Sequence, residues 1–451
     1  MYPEESHANL PRGGVLETMS GRWLAFPVRY LVLSMLLLAS CVSYGDRTVL
    51  GIAGPALAAS LGLNAVEMGY LLSAASLPYL LMKLPSGMIL DRFGSRWIYC
   101  AALVLLSLCT AAQGLSALLP GAVATALLFS TRFLSGAFSS PIFPANARIT
   151  ANWFPAAERG LASAIFNTAQ YLALIIFAPL SAWTVQAFSW PAAFYILGVL
   201  GLIVAAIFPV VVMSPLHHPL IGAAELEHVE RGGGLVHIET NPLPSLSGSA
   251  FFRHVAFRRP LVGLYLFQYC IGVLTSFFMT WFPIYLVRHS GMSILGAGIG
   301  TAVPAAFGLA GGIAGGLISD ALLRRTRSLT VARGVPIFLG FGIALAMAAA
   351  NFTVAPLLVI GLMSMAFFGK GVAALGWTMI SDMAPKNLIG TTGGIFSMIA
   401  GSAGVLTPVI MGYIVSATGS FDWAIIYVTA HCFIGMAAFA LIIRRIDRIE
   451  V

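Results

Sequence analysis

Residues 86–96 read Ser-Gly-Met-Ile-Leu-Asp-Arg-Phe-Gly-Ser-Arg, and residues 315–325 read Gly-Gly-Leu-Ile-Ser-Asp-Ala-Leu-Leu-Arg-Arg. Each closes an apolar run with a glycine four positions before an aspartate (Gly87 and Asp91, Gly316 and Asp320) and with arginines just beyond. The two aspartates stand 229 positions apart in a chain of 451, about half its length. A motif that returns after half a chain marks a duplication, so the helices that precede the first copy should recur before the second. The spacing predicts one six-helix unit used twice.

Composition says what surrounds those helices. The chain is 59% hydrophobic and only 9% charged, with mean hydropathy +0.92, against roughly 25% charged residues in soluble domains. A water-soluble globule is excluded, because the uncovered apolar area would drive aggregation. Lipid is the solvent that fits. At about 20 residues per crossing, twelve crossings leave short loops, one longer connection and two tails. Apolar runs bounded by glycine, proline or charge lie at about 27–57, 66–90, 97–117, 122–147, 156–186 and 190–213, then at about 260–287, 293–319, 330–350, 355–380, 388–417 and 423–443. A lone strand cannot satisfy its backbone in hydrocarbon, and the alternation of a barrel is absent. The reading is an all-α membrane protein of twelve transmembrane helices in two six-helix bundles, 27–213 and 259–445. A linker at 214–258 joins them, and tails at 1–26 and 446–451 flank them.

A formal net charge of +8 would suggest nucleic acid in a soluble chain, but here the bases mark topology. Nineteen of the 24 lysines and arginines fall on one side of the predicted spans: Arg12, Arg22, Arg29, Arg92, Arg96, Arg148, Arg159, Arg231, Arg253, Arg258, Arg259, Arg324, Arg325, Arg327, Arg333, Lys386, Arg444, Arg445 and Arg448. Both termini are therefore expected on the cytoplasmic face of the cell (inner) membrane. The first tail has no short apolar core with a cleavage site and reads as retained.

Catalytic and metal signatures are absent from the sequence. Cys41, Cys100, Cys109, Cys270 and Cys432 sit inside apolar runs, with no disulfide framework or CxxC spacing. His217, His218, His228 and His237, with Glu225, Glu227, Glu230 and Glu239, make the linker polar without a recurring ligand spacing. No HExxH, GxSxG or GxxxxGK[ST] pattern occurs, and the glycine pairs at 311–312 and 315–316 suit close helix packing. We expect a monomer without cofactor, metal or nucleic-acid partner.

The stretch Gly87-x-x-x-Asp91-Arg92-x-Gly94-x-Arg96 resembles the signature of the major facilitator superfamily. The resemblance implies two bundles rocking about a mid-membrane site, with Asp91, Arg92 and Arg96, echoed by Asp320, as a gate latch favouring the outward-open state. A narrower resemblance runs along nearly the whole chain. Tyr44-Gly-Asp46-Arg47, Tyr79 with Pro85-x-Gly87, Arg132-Phe-Leu-x-Gly136, Pro141-x-Phe-Pro144-Ala-Asn146-Ala-Arg148, Asn152-Trp-Phe-Pro155-x-x-Glu158-Arg159-Gly160 and Asn167-Thr-Ala-Gln170-Tyr171 are similar to organic-anion and proton symporters. Trp281-Phe-Pro283-Ile-Tyr285, Phe367-Phe-Gly-Lys370-Gly and Ala374-Leu-Gly-Trp377 are similar to glucarate, galactarate and hexuronate permeases. These resemblances imply proton-coupled uptake of a small carboxylate, a sugar acid. Tyr44, Arg47, Tyr79 and Gln170 are then substrate contacts, joined by Asn167 and Ser397, with Trp377 as lid or wall. An exporter or exchanger with weak or absent coupling stands as the alternative.

The charges within spans carry the residue-level argument. Besides Arg288 in a loop, four bases remain, Arg47, Lys83, Arg132 and Lys370, and only Asp46 among the acids lies deep. A charge at the bilayer centre costs at least about 2.5–3.5 kcal/mol, so such residues face water or a partner. Cations outnumber anions, and an anionic substrate completes the balance. Arg47 offers a fork that matches a carboxylate through two hydrogen bonds. Asp46 points about 100° away from it around a helix and has Arg132 as a plausible partner. Burial favours a proton on Asp46 and a nearby arginine disfavours it, which suits a proton-coupling site. Lys370, seven residues before Trp377, falls on the same helical face; it would receive the far carboxylate of a diacid, attract anions to an outer vestibule, or snorkel. Lys83 is expected to snorkel at the interface.

Two positions depart from the resembled pattern. Ser139-Ser140-Pro141 stands where relatives carry Glu-Ala-Pro, and Ser397 where they carry asparagine. With one carboxyl fewer, the substrate is a monoanion, another group carries protons, or the coupling differs.

Overall fold

Hydrocarbon offers the backbone no water, so each apolar run closes its own hydrogen bonds as helix. The structure is a computed structural model that describes residues 27–155, 158–236, 257–385 and 389–449, without the side chains of residues 84, 91 and 389–391. Of the residues singled out above, Arg12, Arg22, His237, Glu239, Arg253 and Lys386 lie outside the described residues, as does the Asp91 side chain.

The first half runs α1 (Val28–Leu61), α2 (Ala65–Ser73), α3 (Ser76–Leu81), α4 (Lys83–Phe93), α5 (Ser95–Gly114), α6 (Gly121–Ser139), α7 (Ile142–Trp153), α8 (Arg159–Asn167), α9 (Ala169–Ala187) and α10 (Trp190–Val211). A short α11 (Ala223–Arg231) follows. The second half runs α12 (Arg259–Arg288), α13 (Ile294–Thr326), α14 (Leu329–Ala344), α15 (Pro356–Ala373), α16 (Gly376–Met383), α17 (Ile389–Thr418) and α18 (Asp422–Ala437). Among the described residues eleven helical stretches are long and apolar enough to cross a membrane, and Ala65–Leu81 is a shorter apolar one. The second predicted span is the exception because it is cut into α2, α3 and α4. Pro78 and Pro85 lack the amide that an unbroken ladder needs. A capping box of Asn64 and Glu67 starts α2. Pro141 likewise separates α6 from α7.

The halves meet across a seam that is packed at the end remote from the described chain ends. There a Cβ on Gly51 of α1 would lie 2.9 Å from the Met279 carbonyl of α12, and one on Gly69 of α2 would lie 2.6 Å from the Pro408 carbonyl of α17. Gly298 of α13 approaches the Ala178 carbonyl of α9 in the same way, at 2.8 Å. The Tyr70 and Tyr413 hydroxyls join across the seam at 2.9 Å. Toward the chain-end side, α4, α7 and α8 pack mainly within the first half and α16 within the second, so the seam parts.

The described linker folds onto the first half. The amides of Val28 and Arg29, unpaired at the start of α1, donate to the Glu225 carboxylate of α11 at 3.0 Å each. Arg29 also pairs with Glu158 at 3.3 Å, and His228 reaches the same Glu158 at 3.0 Å. Leu235 N donates to the Ala151 carbonyl at 2.9 Å.

Candidate functional site

Successive residues on α1 look in different directions, and two of them, Asp46 and Arg47, organise the centre of the first half. Asp46 faces α5 and α6 and is only 3% exposed. Its Oδ1 accepts from Thr110 Oγ1 at 2.8 Å and Gln113 Nε2 at 3.3 Å. Its Oδ2 accepts from an Arg132 terminal nitrogen at 2.6 Å and Ser135 Oγ at 3.4 Å. The same guanidinium nitrogen reaches the Asp46 carbonyl at 3.1 Å. Both donor pairs sit three residues apart, which places each pair on one helix face. Arg132 was legible as a partner. Thr110, Gln113 and Ser135 were missed, although polar side chains at that spacing in apolar spans were a readable signal.

Arg47 turns the other way and stays half-buried at the seam. Its guanidinium lies 6.0 Å from the Tyr44 ring and 4.8 Å from the Tyr79 ring, so cation–π contacts hold it. Lys83 Nζ stands 5.1 Å from the same Tyr79 ring. It also donates to the Ser397 carbonyl of α17 at 3.1 Å, a bond between the halves. The expectation that Lys83 snorkels to the interface is thus corrected. The break at Met82 starts a new helix at Lys83, and its half-buried ammonium finds an acceptor in the seam. Ser397 contributes its carbonyl here. Among the described residues no carboxylate pairs with Arg47 or Lys83.

Lys370 is sealed. It is 1% exposed, donates to Tyr171 Oη of α9 at 3.1 Å, and lies 4.9 Å from the Tyr171 ring and 5.0 Å from Phe367. Its glycine neighbours explain the burial. A Cβ on Gly369 would come within 2.7 Å of the Ala344 amide and one on Gly371 within 2.7 Å of the Gly312 amide, so α15 is pressed between α14 and α13. The shared face predicted for Lys370 and Trp377 is not formed. The helix stops at Ala373 and restarts at Gly376, leaving Trp377 54% exposed against Phe396, with ring centroids 5.1 Å apart. Asn167 is exposed and donates to its own helix at the Ser163 carbonyl, 2.8 Å away. Gln170 is half-buried and reaches the Asn167 carbonyl at 3.5 Å. Neither is drawn to Arg47 by a hydrogen bond among the described residues.

Of the latch residues, Arg92 is exposed over the Phe93 ring, and Arg96 bonds the Pro209 carbonyl of α10. Asp320 stands 3.9 Å from Arg333, which also binds Asp382 at 2.9 Å and the Ser319 hydroxyl at 2.6 Å. Arg333 was read only as a topology marker, yet it ties α13, α14 and α16 together. Where an acid was expected, Ser139 donates to the Gly136 carbonyl at 3.0 Å, and the Ser140 hydroxyl bonds that of Ser86.

Two helical bundles, a seam shut at one end and parted at the other, and cations along it that no carboxylate among the described residues neutralises define a multi-pass membrane transporter. Comparison with known proteins agrees: the profile of the Major Facilitator Superfamily matches residues 36–355. The probable galactarate/D-glucarate transporter GudP of Bacillus subtilis (strain 168) is 43% identical over 424 residues, covering 94% of this chain and 93% of its own. Its namesake in Escherichia coli (strain K12) is 42% identical over 427 residues, covering 94% and 95%. The chain belongs to the Major Facilitator Superfamily. Its fold is shared by a bacterial homologue of the human lysosomal transporter Spinster in an inward-facing, unoccupied crystal structure, with TM-score 0.72 at 17% identity, covering 94% of this chain and 98% of that one.

Proposed function

We propose that the protein carries a sugar acid of the galactarate and D-glucarate class across the inner membrane together with protons, its chain ends in the cytoplasm. The observation that carries this reading is Arg47, half-buried at the seam between two tyrosines with no carboxylate paired to it among the described residues. A substrate carboxylate supplies the missing anion through the guanidinium fork. Tyr44, Tyr79 and Gln170 offer donors and acceptors for sugar hydroxyls. The names of the two GudP relatives point to the same substrates. In this reading the seam is open to the cytoplasm, and closing that side while parting the glycine-packed end re-exposes Arg47 to the outside.

Asp46 and Arg132 are the proton-coupling pair. A proton on Asp46 removes the charge that compensates Arg132, so loading and unloading it changes how tightly α1 is tied to α6. A dianion entering with a single proton would carry one net negative charge into a negative interior, against about 2.3 kcal/mol per 100 mV. One specific observation favours a second reading, exchange without net proton movement: Asp46 is already tied to Arg132 at 2.6 Å, deep inside the first half.

Uptake of labelled galactarate into proteoliposomes separates the readings. Accumulation driven by an inside-alkaline gradient, collapsed by a protonophore and not competed by neutral galactitol, supports coupled uptake. Counterflow that ignores the gradient supports exchange. Absence of both rejects the sugar-acid reading.

A further inference from the structure

We propose that Lys83 is the second anion receptor of the site, the group that takes the far carboxylate of a dicarboxylic sugar acid whose first carboxylate sits on Arg47. This rests on the sugar-acid reading above and adds to it the choice of diacids over monoacids.

The Lys83 ammonium is half-buried within the seam, and its one hydrogen bond among the described residues goes to a backbone carbonyl, Ser397, of the opposite half. A carbonyl carries no charge to balance it. Arg47 and Lys83 share the Tyr79 ring, 4.8 Å and 5.1 Å from its centroid. The two charged centres are therefore no more than about 10 Å apart, since neither can be farther from the other than through the ring. An extended six-carbon chain holds its terminal carbons roughly 6 Å apart, and each carboxylate approaches its cation at about 2.8 Å. Together these lengths exceed that limit, so a fully extended six-carbon diacid overshoots the pair, and a bent one that curves past the Tyr79 ring reaches both cations.

The other charged groups leave that role open. Arg132 is consumed by Asp46 at 2.6 Å. Lys370, 1% exposed, is closed off behind Tyr171 and Phe367. Of the cations along the seam, Lys83 combines partial exposure, a spare donor capacity of two N–H groups and adjacency to the Arg47 site. A carboxylate that displaces the Ser397 carbonyl exchanges a bond between the halves for one to the substrate, so a diacid engages both Arg47 and Lys83 and loosens the seam at α4.

Isothermal titration of purified protein with galactarate and with galactonate, which shares the six-carbon chain but has one carboxylate, tests the assignment. The wild type should prefer galactarate. Lys83→Met should weaken galactarate at least about tenfold, as loss of a charge-assisted bond does, while galactonate changes by less than about twofold. Lys83→Arg should keep the preference. Equal losses for both acids, or no loss, would overturn the assignment, as would a wild type that binds both equally. If Lys83→Met does not purify as a folded protein, Lys83→Gln is read by the same ratio, and a preference retained there overturns it. A wild type that binds neither acid removes the sugar-acid reading itself, and the Lys83 assignment with it.

Discussion

Asp46 and Arg47 are adjacent in sequence and belong to different sites: the Asp46 carboxylate is held 2.6 Å from Arg132 inside the first bundle, while the Arg47 guanidinium lies 4.8 Å from Tyr79 at the seam. One helical step of about 100° separates a charge paired with its counter-ion from one that has no carboxylate partner among the described residues. The proposed coupling runs across that step, from the Asp46–Arg132 tie to the Arg47 site.

Breaking the buried pair should cost stability. Asp46→Asn strands Arg132 at 1% exposure without its counter-ion, a loss of about 3–5 kcal/mol. Thermal unfolding in detergent should show a large drop in Tm, largely restored by the double variant Asp46→Asn with Arg132→Met. No recovery in the double variant would mean that the ion pair is not what the packing depends on.

Arg47→Lys keeps the charge and removes the fork. Losing one of two charge-assisted bonds, worth roughly 1.5–3 kcal/mol, should raise the galactarate Kd about 10- to 100-fold. Titration calorimetry reads it directly, and an unchanged Kd would show that Arg47 acts as a point charge only.

Lys370 and Tyr171 join the halves, so they should act on turnover. Lys370→Met and Tyr171→Phe each remove the 3.1 Å bond, and both should alter the maximal uptake rate while galactarate and galactonate KM values move together. A loss confined to the diacid would instead put Lys370 in contact with substrate, as the sequence spacing had suggested.

The linker helix should come loose without Glu225. Its carboxylate caps two amides of α1 and pairs with Arg29 at 3.5 Å, an arrangement worth about 1–2 kcal/mol. Glu225→Ala should raise hydrogen exchange in residues 223–236 with little change in the spans. Unchanged protection there would show that other contacts suffice.

Helices, their number and their pairing into halves were legible because hydropathy and the Asp91–Asp320 repeat are properties of local sequence. The deep charges Asp46, Arg47 and Arg132 were legible for the same reason, since each is costly in lipid. What could not be read depends on where a helix breaks and which neighbour it meets. The interruption at Ala374–Leu375 separates Lys370 from Trp377, and the one at Met82 turns Lys83 toward Ser397. Neither follows from a residue count that assumes 3.6 residues per turn throughout. The docking of α11 was likewise hidden, because a polar composition describes solvation and says nothing of a carboxylate seated on another helix's amides.

The most direct measurement is concentrative uptake by Asp46→Asn beside its exchange activity in the same proteoliposomes. In the variant an inside-alkaline gradient should no longer accumulate galactarate above equilibrium, while exchange of internal for external galactarate persists. Undiminished gradient-driven accumulation by the variant would contradict the coupling role of Asp46.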